Sequence, residues 1–206
     1  MIDIEALFDL VASRRSIRRY TDRRPERWQI ERIVQAASWA PSNHNRQGWK
    51  FVVFDDRAEI TDLARRVRES LTKTLEAEPR LAAQSREVLD YAGWFGQAPV
   101  IVLAMHKRAP AFARALLVSA VTPLVSGEAI STAMSVQNLL LAAHALGLGA
   151  CVMTAPLLAA EIWNSLPDMP PGFEPTCLIT LGFPAEAPPP LPRKKLEHVL
   201  EYRNPP

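Results

Sequence analysis

The first helices are predicted from apolar residues that recur at helical spacing. The first pattern consists of Ile4, Leu7, Phe8 and Val11. Such spacing places the side chains on one face of a helix. A second pattern begins at Pro25 and ends near residue 40, because Pro41 disfavours a helical conformation in the residue before it. The sequence therefore predicts two helices, followed by an ordered loop over residues 41–48.

Short apolar runs predict strands in the rest of the chain. The predicted strands cover residues 49–54, 99–105, 150–154 and 176–183. A charged helical stretch spans about residues 57–92 with a break at Pro79, and a short helix is predicted over residues 156–165. The pattern predicts no particular element over residues 106–125. Helices and strands therefore alternate along the chain.

The most apolar segment, residues 127–146, is predicted to be a core helix. At the rise of an α-helix it is long enough to cross a bilayer. Glu128, Gln137, Asn138 and His144 interrupt it, however, and no aromatic belt flanks it. Because apolar residues occupy nearly its whole circumference, we expect this helix to be covered on every side, at the centre of a domain or in a dimer interface.

Length and composition favour one globular domain over residues 1–206, with a C-terminal arm from about residue 184. With 48% hydrophobic residues the chain can bury a large core. Its net charge of +2 argues against a nucleic-acid partner, so any cationic site must be local. Cys151 and Cys177 form no metal-binding motif, which argues against a metal site or a disulfide framework. The N-terminus lacks the layout of a signal peptide, so we expect a cytoplasmic protein without a membrane partner.

A basic segment, residues 14–20, is the leading candidate for binding an anion. Its sequence is Arg-Arg-Ser-Ile-Arg-Arg-Tyr. Arginine can hold a phosphate through paired hydrogen bonds, and Ser16 can add a neutral one. A solvated basic surface would have the same sequence and stays open as an alternative. Two other features favour a ligand, namely the amide-rich loop 41–49 and the cationic residues 193–195 that follow a proline-rich stretch.

Five motifs in a fixed order carry a resemblance to a known family. R-R-S-x-R covers residues 14–18, P-S-x-x-N-x-Q-x-W covers 41–49, and Q-N-L-L-L-A-A-H-A-L-G-L-G covers 137–149. C-V-M-T-A follows at 151–155 and L-G-F-P-A-E at 181–186. Each motif is weak alone, but in this order and at these separations the chain resembles the FMN-dependent nitroreductase family over nearly its whole length.

The resemblance implies an α+β fold with a mainly antiparallel sheet of four or five strands surrounded by helices. Two copies would interlock into a homodimer with two FMN sites, each shared between the copies. The residues expected to bind FMN are Arg14, Arg15, Ser16, Arg18, Pro41, Ser42, Asn43, Asn45, Ser131, Val152, Met153, Thr154, Ala155, Arg193 and Lys195.

The resemblance also implies roles for some of these residues. Arg14 and the two arm residues would bind the phosphate, and Arg18 would stabilise the negative charge of the reduced flavin. The loop from Pro41 to Asn45 would contact the flavin of the partner copy. The backbone N–H of Thr154 would point at flavin N5. No side chain would be catalytic, because the flavin performs the chemistry.

The chain departs from the family pattern at two places. Gly48 stands where the family usually has proline, which loosens the turn before the first strand. Residues 90–95 stand where relatives often carry a lysine or asparagine that contacts the pyrimidine edge of the flavin. Trp94 and Phe95 in this stretch could cover the ring or the substrate, but core packing is the favoured interpretation.

Four other reactive side chains have structural explanations. His44 is expected to be a solvated or structural loop residue, and His144 a hydrogen-bonded core histidine. Glu128 suits the first turn of a helix, where the helix dipole favours a carboxylate. Cys151 is expected to pack as a small apolar residue. Contact of His44 or Glu128 with substrate stays an alternative.

The expected reaction is hydride transfer through the flavin. Because the chain has no G-x-G-x-x-G motif, NAD(P)H is expected to visit the flavin transiently instead of occupying a site of its own. A nitroaromatic, quinone or enone would then take the hydride in a ping-pong cycle. Two alternatives stay open: a flavin-dependent dehydrogenase or oxidase that tailors a biosynthetic intermediate, and a flavin-binding protein without turnover.

Overall fold

A four-stranded antiparallel sheet forms the centre of the protein. The computed structural model describes residues 3–77, 85–109 and 126–204. The strands are β1 (Trp49–Phe54), β2 (Val100–Lys107), β3 (Gly149–Met153) and β4 (Phe173–Gly182), in the spatial order β1-β2-β4-β3. All pairings among these four strands are antiparallel. The α+β fold with a mainly antiparallel sheet is thereby confirmed.

Six α-helices surround the sheet in the described parts of the chain. They are α1 (Ile4–Ser13), α2 (Arg27–Ser38), α3 (Arg57–Ala77), α4 (Ser85–Gly93), α5 (Gly127–Ala145) and α6 (Ala160–Asn164). Short 3₁₀ turns cover Asn43–Asn45, Trp94–Gln97, Ala155–Leu158 and Leu196–His198. The predicted break at Pro79 and most of the stretch 106–125 lie outside the described residues.

The strand pair β2–β4 is longer than the sequence predicts. β4 begins at Phe173, which pairs with Lys107, although the apolar pattern places its start at residue 176. The register shifts between Ala104 and Met105, opposite Pro175. Because proline has no N–H to donate to a ladder, an irregularity at this position lets the pairing continue beyond it.

Helices cover both faces of the sheet, so the core consists of two layers. On one face, β2 contributes Ile101, Leu103 and Met105 to a cluster that includes Ile60 and Leu63 of α3. On the other face, Val100, Val102 and Ala104 pack with residues of α2 and α5, namely Ile30, Ile33, Val136 and Leu139. Burial on both faces explains why β2 is a continuous apolar run.

Three apolar surfaces stay exposed in the single chain. On α5, Ile130 is 50% exposed and Met134 is 38% exposed, and Ala133 lies between them on the same face. α1 has no buried residue, although it carries the predicted apolar stripe. The arm exposes several apolar side chains, including Leu191, Leu196 and Val199. The side of α5 that faces the sheet is therefore covered as predicted. Its opposite side stays exposed in the single chain. Among the described helices, none is both long and apolar enough to cross a membrane.

Candidate functional site

The basic segment is fixed along the edge strand β3. The backbone N–H of Ile17 donates to the carbonyl of Ala150 at 3.0 Å, and Ser16 forms a parallel bridge with Ala150. Gly149 permits this close approach, because a Cβ there would lie 2.7 Å from the Ile17 side chain. Ile17 is buried. The residues on either side of it are therefore held in a defined orientation beside the sheet.

Three side chains of the basic segment influence the pKa of Cys151. Burial raises the pKa of the Cys151 thiol, while Arg18, a hydrogen bond from Ser16 and Arg14 act in the opposite direction. All three residues can act on the same thiol, because alternate residues of an extended segment lie on one side of it. Of these residues only Arg18 lines a cavity together with Cys151, whereas Arg14 lines a separate cavity of about 410 Å³ with Ser13 and His144.

Arg15 takes a different position from its neighbours. Its Nη1 donates to the carbonyl of Ala12 at 2.6 Å and to that of Arg14 at 2.9 Å. These bonds cap the last turn of α1, where a cation also interacts favourably with the helix dipole. This placement explains Arg15 without a ligand, and its contact with FMN stays a prediction.

A cavity of about 560 Å³ opens beside Arg18 and Cys151. Its lining residues are Arg18, Glu87, Asp90, Tyr91, Trp94, Cys151 and Met153. The volume is in the range of small-molecule and cofactor sites. Trp94 is half-buried and lines this cavity, whereas Phe95 is fully buried against Trp163, with ring centres 6.0 Å apart. The aromatic pair is thus divided between the cavity and the core.

Arg18 is joined to the opposite wall of the cavity. Its Nη2 donates to the hydroxyl of Tyr91 at 3.2 Å, and its guanidinium carbon lies 5.9 Å from the centre of that ring. Burial alone would lower the pKa of Arg18, but Cys151, Tyr91 and Glu186 outweigh it, so the pKa is raised. Arg18 therefore stays cationic within the cavity.

Residues Glu87, Asp90 and Tyr91 are candidate site residues that the motifs did not identify. All three belong to α4, whose sequence resembles an ordinary charged surface helix. Asp90 also lies 3.7 Å from Arg68 of α3. The sequence gives one indication of these residues, because the stretch 90–95 departs from the family pattern. The spacing of residues in that stretch does not show which side chains face the cavity.

The loop after α2 is held rigidly at the start of α5. The hydroxyl of Ser42 accepts a hydrogen bond from the N–H of Gln47 at 2.9 Å, and the N–H of Asn43 donates to the hydroxyl of Ser131 at 3.1 Å. His44, Asn45 and Gln47 have φ angles of 51°, 51° and 48°, a left-handed conformation that non-glycine residues rarely adopt. Such backbone strain is often found at functional sites.

Ser131 lies beneath this loop. It is 3% exposed, and its hydroxyl donates to the carbonyl of Gly127 at 2.6 Å while accepting from Asn43. These bonds fix the position of the loop. A contact of Ser131 with the flavin ring stays a prediction.

The loop and the basic segment lie at opposite edges of the sheet. Residues 41–48 lead into β1, whereas the basic segment runs beside β3. Three strand spacings separate these edges, which corresponds to about 14 Å. The two groups of predicted cofactor-binding residues therefore lie apart in the single chain. This arrangement agrees with the expectation that the loop serves a partner copy.

The C-terminal arm is anchored at its beginning. The carboxylate of Glu186 accepts hydrogen bonds from the N–H groups of Arg18 and Arg19, and the N–H of Ala185 donates to the carbonyl of Arg19. Beyond this point the arm is exposed. Arg193 and Lys195 lie in its exposed part and do not line the cavity, and Lys195 is 3.7 Å from Glu197. Neither of them lines the cavity that contains Arg14.

The end of β3 carries the residues expected against the flavin ring. Met153 is the last paired residue of the strand and lines the cavity, and Val152 is 38% exposed. Thr154 follows as an exposed residue that begins the turn Ala155–Leu158. Thr154 therefore lies at the cavity end of the strand, where its backbone N–H is no longer part of the ladder with β4.

The remaining reactive side chains have structural partners. Glu128 belongs to the first turn of α5. Its Oε1 lies 3.4 Å from Nη1 of Arg46. Nε2 of His144 lies 2.8 Å from the hydroxyl of Ser13, which joins α5 to α1. The contact of Glu128 supports its structural interpretation. His144 is hydrogen-bonded as expected, but it is half-buried and lines a cavity with Ser13 and Arg14, so the expectation of a core position was wrong. His44 is exposed at the tip of the loop.

Comparisons with known proteins agree with the fold and the motifs. The sequence profile of the nitroreductase family matches residues 11–183. A candidate NADH dehydrogenase/NAD(P)H nitroreductase of Methanothermobacter thermautotrophicus is 31% identical over 185 residues, 88% of this chain and 79% of that protein. An iodotyrosine deiodinase of Thermotoga neapolitana is 27% identical over 199 residues, 94% of this chain and 96% of that protein. A nitroreductase of Desulfitobacterium hafniense with bound FMN has a TM-score of 0.74 at 20% identity, covering 99% of this chain and 100% of that one.

Proposed function

The chain belongs to the nitroreductase family, and we propose that it is an FMN-dependent oxidoreductase that passes hydride from NAD(P)H to a small organic acceptor. The acceptor is a nitroaromatic, a quinone or an enone. One observation carries the proposal: Arg18, held by a hydrogen bond to Tyr91, lines a cavity of about 560 Å³ together with Cys151, Trp94 and Met153. A cation and a cavity of this size are what a charged ring system requires.

The residues present fit FMN in charge and polarity. Arg14 would bind the phosphate, and Arg18 would stabilise the negative charge of the reduced flavin. Because burial raises the pKa of Cys151, its thiol is neutral and does not cancel these cations. Trp94 and Met153 provide apolar walls for a ring. Bound FMN supplies the hydride chemistry at N5 in a ping-pong cycle, and the chain orients the ring through the remaining predicted contacts.

A second copy completes the site in this proposal. The loop 41–45 lies at the far edge of the sheet from the basic segment, so it contacts the flavin of a partner. α1, the exposed face of α5 and the arm supply the apolar surface that the partner covers. Exposed apolar surface of this kind marks an interface in soluble proteins. We therefore propose a homodimer with two shared sites, in which Arg193 and Lys195 complete a phosphate site.

A second candidate function is reductive removal of a halogen from an aromatic amino acid. A relative that covers 94% of the chain is named an iodotyrosine deiodinase. The cavity supports this candidate, because it contains a cation, Arg18, together with the carboxylates of Glu87 and Asp90. Such a pair of opposite charges can hold a carboxylate and an ammonium group on one substrate.

The purified protein is expected to be yellow and to release FMN, and not FAD, on denaturation. The proposed phosphate site, Arg14 with Arg193 and Lys195, provides for one terminal phosphate. Chromatography of the released flavin identifies it, and reconstitution from an equal mixture of FMN and FAD tests the preference. Recovery of FAD, or a colourless protein that cannot be reconstituted with FMN, would contradict the proposal.

A further inference from the structure

The contact between Arg18 and Tyr91 leaves the tyrosine with a hydrogen to donate. Arg18 Nη2 lies 3.2 Å from the Tyr91 hydroxyl. A guanidinium has donors but no acceptor, so the tyrosine oxygen must be the acceptor in this bond. The O–H of Tyr91 is therefore not used in its contact with Arg18.

Tyr91 lies on the wall of the cavity that the proposed function assigns to the reaction. It is 50% exposed, it belongs to α4, and it lines the same cavity as Met153 at the end of β3. Its ring faces the guanidinium of Arg18 at 5.9 Å. Two contacts thus orient the ring, so the hydroxyl is held at the cavity wall.

On the basis of the proposed function, we propose that Tyr91 donates a hydrogen bond to the oxygen of the bound acceptor and supplies the proton that this oxygen takes up. Reduction of a quinone or an enone adds one hydride, with its two electrons, and one proton. The O–H bond of Tyr91 breaks, a new O–H bond forms on the acceptor, and the tyrosine oxygen recovers a proton from water. The hydride and its two electrons would come from the reduced cofactor.

Arg18 makes Tyr91 suited to this task. A phenolate formed by proton loss would lie within hydrogen-bond distance of a permanent cation, and hydrogen bonds to ionised groups are about twice as strong as neutral ones. Cys151 is less suited, because it is buried and burial raises the pKa of its thiol.

Tyr91→Phe removes the hydroxyl and keeps the ring beside Arg18, which makes it the informative variant. The first measurement is the infrared carbonyl band of menadione bound to the oxidised, FMN-loaded protein, where no turnover occurs. We expect a band shifted to lower frequency in the parent protein and no such shift in Tyr91→Phe. Tyr202→Phe, which removes a hydroxyl from the exposed arm, should retain the shift. Equal bands in the parent and in Tyr91→Phe would overturn the proposal.

The second measurement separates proton transfer from electron transfer. The flavin is reduced with dithionite, and its reoxidation is followed with menadione, which takes up protons, and with ferricyanide, which takes up electrons alone. Tyr91→Phe should slow the menadione reaction on the order of 100-fold, the usual effect of losing a general acid, and leave the ferricyanide reaction unchanged. Equal slowing with both acceptors, or slowing with neither, would overturn the role of Tyr91. Failure of the proposed function is distinguishable, because the parent protein would then bind no FMN or would not be reoxidised by menadione.

Discussion

Ala133→Glu is expected to convert the protein to a monomer that no longer retains FMN. Ala133 is exposed in the single chain, between Ile130 and Met134 on one face of α5. In the proposed dimer this face is buried, and each interface would receive two unpaired carboxylates. Burial of an ion costs several kcal/mol, so the dissociation constant should rise about 100-fold or more. The flavin should be released as well, because each ring would lose the partner's loop 41–45.

Sedimentation across a dilution series, with flavin fluorescence recorded in parallel, measures both effects. Ala58→Glu is the matched control, because Ala58 is also an exposed helical alanine, in the first turn of α3. A carboxylate is favourable at that end of a helix, so this variant should remain dimeric and yellow. A parent protein that is a stable monomer with full FMN occupancy would overturn the shared site.

Arg14→Ala is expected to weaken FMN binding roughly 10- to 150-fold, which corresponds to the loss of one hydrogen-bonded charge of about 1.5–3 kcal/mol. Arg14 is half-buried, lines a cavity of about 410 Å³, and acts to lower the pKa of Cys151. Arg19→Ala is the control, because Arg19 is exposed and its backbone, not its side chain, bonds to Glu186. Fluorescence titration of the apoprotein with FMN gives both affinities. Equal affinities in the two variants would make the basic segment an ordinary solvated surface.

The sequence predicts the secondary structure well where burial imposes a clear pattern. β2 is buried on both faces and is therefore a continuous apolar run, and α2 shows its buried residues at helical spacing. The sequence cannot show which face of α5 packs on the sheet. Small polar residues such as Thr132 and Ser135 are buried there, while Ile130 is half exposed. Hydrophobicity alone does not distinguish the two faces of α5. In the proposed dimer both faces are buried, one against the sheet and the other against the second copy.

The candidate site is only partly predictable from the sequence. A motif can identify Arg14, Ser16 and Arg18, because all three belong to one short segment beside β3. The contact between Arg18 and Tyr91 joins residues that are 73 positions apart. It arises because α4 packs beside the cavity, and no local pattern contains that information. Arg15 shows the opposite case: it belongs to the motif, but its side chain caps α1.

Anaerobic mixing of the FMN-loaded protein with NADH and with NADPH tests the central claim most directly. Hydride transfer to the flavin bleaches its visible absorbance, and the proposed function requires that a quinone or a nitroaromatic then restores it. We expect bleaching by at least one nicotinamide and recovery on addition of menadione. A protein that holds FMN but is bleached by neither nicotinamide would contradict the account. Two candidates would then remain: a dehydrogenase whose flavin is reduced by its own substrate, and a flavin-binding protein without turnover.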